Sequence, residues 1–139
     1  MIKDPLRFDI DEEDKELYDK LKKEDIFKDK NRRDQFLFAM SIGFKNRFRI
    51  PIKKKLKGGF FRTEDLRQED RTLVNSVALS VINSIEDLSN REEVYKIAEE
   101  YAHGGIKLLI GKIESTQFGT FWKIFEKELH DIYEETIGD

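Results

Sequence analysis

The chain has 139 residues, 40% of them charged and 38% hydrophobic, with a formal net charge of −3. That length suits one domain around a single core, and eleven Phe, four Tyr and one Trp exclude a disordered composition. The absence of Cys excludes disulfides, thiolate catalysis and zinc–thiolate sites. The opening MIKDPLRFDIDEEDKE lacks the apolar run of a signal peptide, and stretches such as IKLLIG are far too short to cross a bilayer, so a cytoplasmic protein without membrane contact is expected.

Residues 1–11 read as an extended lead-in. Asp11 to Lys23 (DEEDKELYDKLKK) follows as a first helix, with acidic residues at its start and lysines at its end, as the helix dipole favours. Asn31 to Lys45 (NRRDQFLFAMSIGFK) predicts a second helix. Leu37, Met40 and Phe44 form one row on it, and Phe36, Ala39 and Gly43 an adjacent one. Gly43 inside this pattern predicts close approach of another backbone or the onset of the helix end. RFRIPI at 47–52 alternates charged and apolar residues up to Pro51, the period of an edge strand or extended arm. That alternation would turn Arg47 and Arg49 to one side and Phe48 and Ile50 to the other. Gly58–Gly59 then marks a turn.

Thr63 to Ile82 predicts a third helix, capped by Thr63 and lined inside by Leu66, Leu73, Val77 and Val81. Ser89 and Glu92 have capping-box spacing, which starts a fourth helix at Asn90. Its inner row runs through Val94, Ile97, Ala98, Tyr101, Gly105, Leu108 and Leu109, with a break or kink expected at Gly104–Gly105. A fifth helix from about Thr116 to Thr136 would carry Phe118, Trp122, Phe125, Leu129 and Ile132 as its stripe. The expected architecture is mostly α: residues 1–139 as a single helical domain, a compact bundle of about five helices with a short extended basic arm at about 45–59.

Few patterns point to chemistry. His130–Asp131 is an HD dipeptide, but metal-dependent phosphohydrolases need a second His and a further Asp converging on the ion, so a solvated helix face is the simpler reading. His103 beside two glycines reads as a structural imidazole capping carbonyls. GGIKLLIGK fails the phosphate-loop pattern, because five residues separate Gly105 from Gly111 and Ile113 follows Lys112. No Gly-x-Ser-x-Gly elbow occurs, and Arg91 stands too far from His103 for a helix-borne Arg–His ribonuclease pattern. Glu92/Glu99 and Glu93/Glu100 lie two helical turns apart and could hold a hard cation, although a solvated charged face explains them more simply. No catalytic residue, cofactor or metal ligand is assigned.

Charge asymmetry is more informative. From Lys20 to Lys57 there are 14 basic and 4 acidic residues, whereas the remainder carries 12 basic and 25 acidic. Seven cations fall between 45 and 57. Arg32, Arg33, Lys45, Arg47, Arg49, Lys53, Lys54, Lys55 and Lys57 are the candidate nucleic-acid-binding residues, since such a cluster would neutralise a phosphate backbone. A solvated basic loop, or one facing the protein's own acidic surface, explains the same residues. Lysines supply charge rather than base identity, so no sequence selectivity follows.

Two stretches carry a family pattern. Asp14–Lys15, Leu17–Tyr18 and Leu21 open it. Asp34, Phe36, Ala39, Ile42–Gly43–Phe44, Arg49 and Pro51 continue it, and Glu100–Tyr101–Ala102 with Gly104–Gly105–Ile106 close it. In these residues the chain resembles the DNA phosphorothioation (Dnd) system-associated protein 4 family, with His103 where that pattern leads one to expect Asn. The resemblance implies an accessory role in a prokaryotic defence system that modifies or restricts DNA and brings no catalytic residues, and the leading reading is a non-enzymatic, DNA-binding accessory protein. The partner it implies is DNA, or a DNA-bound complex of other defence-system proteins. A protein–protein adaptor is the alternative reading. A metal-dependent enzyme centred on His103, Glu100 or His130–Asp131 ranks third.

Overall fold

In the computed structural model, residues 3–115, 123, 126–131 and 134 are described. The fold is mostly α, a small bundle with one minimal antiparallel pair of strands. Four α-helices stand among the described elements: α1 Lys15–Lys22, α2 Arg32–Lys45, α3 Gln68–Leu79 and α4 Arg91–Ile113. Residues 123, 126–131 and 134 are helical as well. The expected fifth helix otherwise falls outside the described residues, including Phe118, Trp122, Phe125 and Ile132 of its stripe. No described helix is long and apolar enough to cross a membrane.

Local chemistry sets the helix starts. Asn31 Oδ1 accepts the Asp34 N–H at 2.9 Å and opens α2 where the sequence places it. Asn90 Oδ1 accepts the Glu93 N–H at 3.2 Å, so Asn90 rather than Ser89 caps α4. Ser89 ends a separate 3-10 turn, Ile85–Ser89. Thr63 does not cap α3. Its hydroxyl donates to the Pro5 carbonyl at 2.6 Å within a 3-10 turn, Thr63–Asp65, and α3 begins only at Gln68, where Asp70 Oδ2 accepts the Arg67 N–H at 3.0 Å. The first helix is likewise split, into a 3-10 turn Glu12–Asp14 and α1.

α2 lies against α4 with backbone nearly touching backbone. A Cβ on Gly43 would overlap the Tyr101 carbonyl oxygen, and one on Gly105 would overlap the Ala39 carbonyl oxygen. Gly104 and Gly105 therefore do not break α4, which runs unbroken through them. They remove side chains where α2 and the chain leaving it cross. Flanking this contact, Phe36, Ala39, Met40, Ile97, Ala98 and Ile106 form the buried centre.

The N-terminal segment acts as a strap. β1 (Arg7–Phe8) pairs antiparallel with β2 (Phe61–Arg62), with Phe8 opposite Phe61. The pairing continues irregularly: Leu56 N–H donates to Ile10 O at 2.8 Å, and Glu12 N–H to Lys54 O at 2.9 Å. The two ladders are separated by a turn in which Gly58 and Gly59 have φ of 89° and 78°, which favours glycine at both positions. Phe8 is fully buried, stacked on Tyr95 of α4 at 4.2 Å and on Phe61 at 4.9 Å between ring centroids.

Of the edge strand or extended arm expected at 47–52, the strand does not form. Arg47 takes φ 53°, and the segment is held by its ends: Phe48 N–H donates to Gly43 O at 2.8 Å and Ile50 N–H to Glu100 O at 3.1 Å. Alternation of residue type is present, but the nearest acceptors belong to helices, so no strand partner lies alongside.

Candidate nucleic-acid interface and its acidic anchor

The basic arm leaves the end of α2 and crosses α4 toward the strap. Along it, Ile50, Ile52 and Leu56 are half-buried, while Arg47, Lys53, Lys54, Lys55 and Lys57 are exposed, as is Lys45 at the end of α2. Its backbone is fixed by one carboxylate in particular. Asp11 is buried, and its Oδ2 accepts the N–H groups of Lys53 at 2.9 Å and Lys54 at 3.4 Å, while its Oδ1 accepts that of Glu13 at 3.1 Å. Burial pushes the Asp11 carboxyl up, but these three N–H donors and the nearby His103 outweigh it and hold the group below the usual carboxylate range.

The nine cations named from the sequence divide into three groups. Arg32, Arg33 and Arg49 are engaged by groups of the protein itself, although Arg32 and Arg49 remain exposed. Arg32 lies over the Phe60 ring at 5.0 Å and donates to the Phe60 carbonyl at 3.3 Å. Arg33 reaches Asp34 at 3.2 Å, the buried Asp70 at 3.8 Å and the Asp65 carbonyl at 3.0 Å. Arg49 pairs with the buried Glu100 at 3.3 Å and lies 5.9 Å from the Tyr101 ring centre. Lys54 and Lys55 form loose pairs with Glu12 at 3.6 Å and Asp9 at 3.4 Å, yet their side chains stay 75% and 63% exposed. The Lys54–Glu12 pair, exposed on both sides, contributes little and can be exchanged for another anion, whereas the Asp9 carboxylate that faces Lys55 is largely buried. Among the described residues, the side chains of Lys45, Arg47, Lys53 and Lys57 have no hydrogen bond or ion pair.

A cluster of titratable groups lies beneath the arm. His103 is buried in α4, and its Nδ1 is 2.5 Å from Asp14 Oδ2. Its Nε2 faces Glu13 Oε1 at 3.5 Å and Asp11 Oδ2 at 3.7 Å. Lys107, one turn on, donates to Glu13 Oε1 at 3.0 Å and Asp14 Oδ1 at 2.9 Å. Burial raises the Asp14 carboxyl above its ordinary value, with Lys107 and His103 partly offsetting it. His103 thus binds carboxylates and does not cap a helix break, because α4 has no break at that position.

Glu99 and Glu100 are also buried, contrary to the solvated face expected for them. Glu99 Oε2 accepts the Asp9 N–H at 2.6 Å, and burial raises its carboxyl to about 7 despite that bond and Lys55. Both glutamates line a cleft of about 470 Å³ with Arg7, Asp9, Lys55 and Tyr95. Glu92 is exposed and Glu93 half-buried. His130 is exposed and lies 3.5 Å from Glu134, which fits the solvated reading of the HD dipeptide.

A family model described as DNA sulphur modification system-associated protein 4 matches residues 7–126, which takes in the strap, the arm and α1 to α4. The chain belongs to this family. No curated protein and no solved structure matches it. The family's description ties its members to a DNA sulphur modification system, which gives the chain an accessory role there.

Sequence reasoning does not find Asp9, Asp11, Glu13, Asp14 and Lys107. The acidic start of the first helix reads only as a complement to the helix dipole. The one available signal is Asp14 within the family pattern, at a position that ordinary helix chemistry leaves unexplained.

Proposed function

We propose that this member of the DNA sulphur modification system-associated protein 4 family contacts the DNA backbone through its basic arm, using Lys45, Arg47, Lys53, Lys54, Lys55 and Lys57. Arg32, Arg33 and Arg49 instead hold the fold. One observation carries this reading. The arm's backbone is pinned by Asp11, Ile10 and Glu100, while these six cations remain exposed beside half-buried apolar residues. Cations presented from a fixed backbone give up little chain entropy on meeting phosphates. The contacts would be to phosphate, so the reading includes no base selectivity.

The test is the salt dependence of DNA binding by the full chain. Affinity for a duplex should fall steeply as salt rises. Replacing Lys53, Lys54, Lys55 and Lys57 with Ala should flatten the log–log slope by about 0.9 for each phosphate no longer neutralised. Arg49→Ala should lower stability without changing that slope. Absence of binding to both duplex and single-stranded DNA at about 50 mM salt would refute the proposal, since non-specific phosphate contacts are strongest at low salt. Co-purification with another protein of the system through a high-salt wash would then favour the adaptor.

A further inference from the structure

The strap and α4 bring together a second set of donors beneath the arm, in which Asp11, the arm's anchor, also takes part. His103 Nε2, Asp11 Oδ2 and Glu13 Oε1 all lie within 4.8 Å of one another. Two of the separations are 3.5 and 3.7 Å. Ligands about 2.0–2.2 Å from a shared zinc-type ion stand roughly 3.3–3.7 Å apart in tetrahedral or trigonal geometry. The two separations that involve His103 match this spacing.

The surroundings also suit a metal ligand set. The His103 side chain is only 3% exposed, and its Nε2 faces the Glu13 and Asp11 carboxylates at 3.5 and 3.7 Å. The opposite ring nitrogen is fixed by Asp14 at 2.5 Å, so the ring is oriented with Nε2 toward the two carboxylates. A carboxylate behind the non-ligating nitrogen is the usual second partner of a metal-binding imidazole. Asp11 is oriented by three backbone N–H groups, and Asp14 is held by Lys107. Only Glu13, with a side chain 60% exposed, has to shift, from Lys107 toward the ion. It lies on the solvent side, where an ion would enter.

We propose that Asp11, Glu13 and His103 form a binding site for one first-row divalent cation of the zinc type, completed by solvent. One imidazole with two carboxylates suits such ions, whereas magnesium prefers an all-oxygen shell. The site goes beyond the DNA-contact reading and does not depend on it. It would lock the strap to α4 at the residue that anchors the arm.

The experiment is calorimetric titration of the full-length, chelator-stripped protein with zinc chloride alone, with magnesium chloride as comparison. One zinc ion per chain is expected, with magnesium much weaker. Glu13→Gln and His103→Asn should each weaken zinc binding by at least about tenfold, and Asp14→Asn by about 10–100-fold through the lost orientation of the ring. His130→Ala should leave the affinity unchanged. Because His103 is buried, its variant could unfold. Glu13→Gln alters an exposed side chain and keeps the test decisive. No zinc uptake by the native chain, or unchanged affinity in Glu13→Gln, would overturn the site.

Discussion

Glu99 shows what burial does to one residue. Its carboxyl is raised from 4.5 to about 7, chiefly by loss of water, with Asp9 and Glu100 adding repulsion and the Asp9 N–H and Lys55 opposing it. The folded protein therefore holds a proton on Glu99 that the unfolded chain releases near 4.5. That contribution to stability is complete below about 4.5 and is lost as pH rises through about 7, a difference on the order of 3 kcal/mol. Between pH 5 and pH 8, the urea midpoint of the native protein should fall more than that of Glu99→Gln. Parallel behaviour of the two proteins would show that Glu99 does not titrate this way. Residue order carries no hint of this, because four glutamates at helical spacing resemble a wet face until Asp9 and the arm cover two of them.

Helix α4 allows two glycines to be compared within one element. Gly105 faces the Ala39 carbonyl, whereas at Gly111 a Cβ would meet nothing within 4 Å among the described residues beyond its own helix backbone. Gly105→Ala must force α2 and α4 apart and should cost about 1–3 kcal/mol or more, because backbone cannot move aside as a side-chain tip can. Gly111→Ala meets no neighbour among the described residues and should stabilise the helix by about 0.5–1 kcal/mol. Thermal or urea unfolding of both variants checks the pair. Equal effects would mean that the α2–α4 crossing is not set by glycine. Gly43 is legible as a close-approach position from its place among Phe36, Ala39 and Phe44. Gly104–Gly105 reads as a break because adjacent glycines weaken a helix in isolation, whereas here the crossing backbone occupies the space they leave.

For the molecule as a whole, the strap joins three parts: α4 through Phe8 and Tyr95, the strand β2 through Phe61, and the arm through Ile10, Asp11 and Glu12. Phe8→Ala should cost about 3–5 kcal/mol, as a fully buried aromatic does. Amide exchange at Leu56 and Phe60, which donate to Ile10 O and Phe8 O, should accelerate with it. Protection retained at both amides would show that the arm holds its place without the strap. Residue order alone determined the mostly α class, the start of α2 near Asn31, the family pattern and the surplus of cations at 45–57, since each rests on local propensity or on composition. Only the tertiary structure decided which cations stay exposed, that three arginines turn back to Phe60, Asp70 and Glu100, and that Asp11, Glu13 and His103 meet. Those outcomes depend on contacts between residues far apart in the chain, about 90 positions in the case of Asp14 and His103. Neither the period of a helix nor a count of charges encodes which distant carboxylate a cation will find.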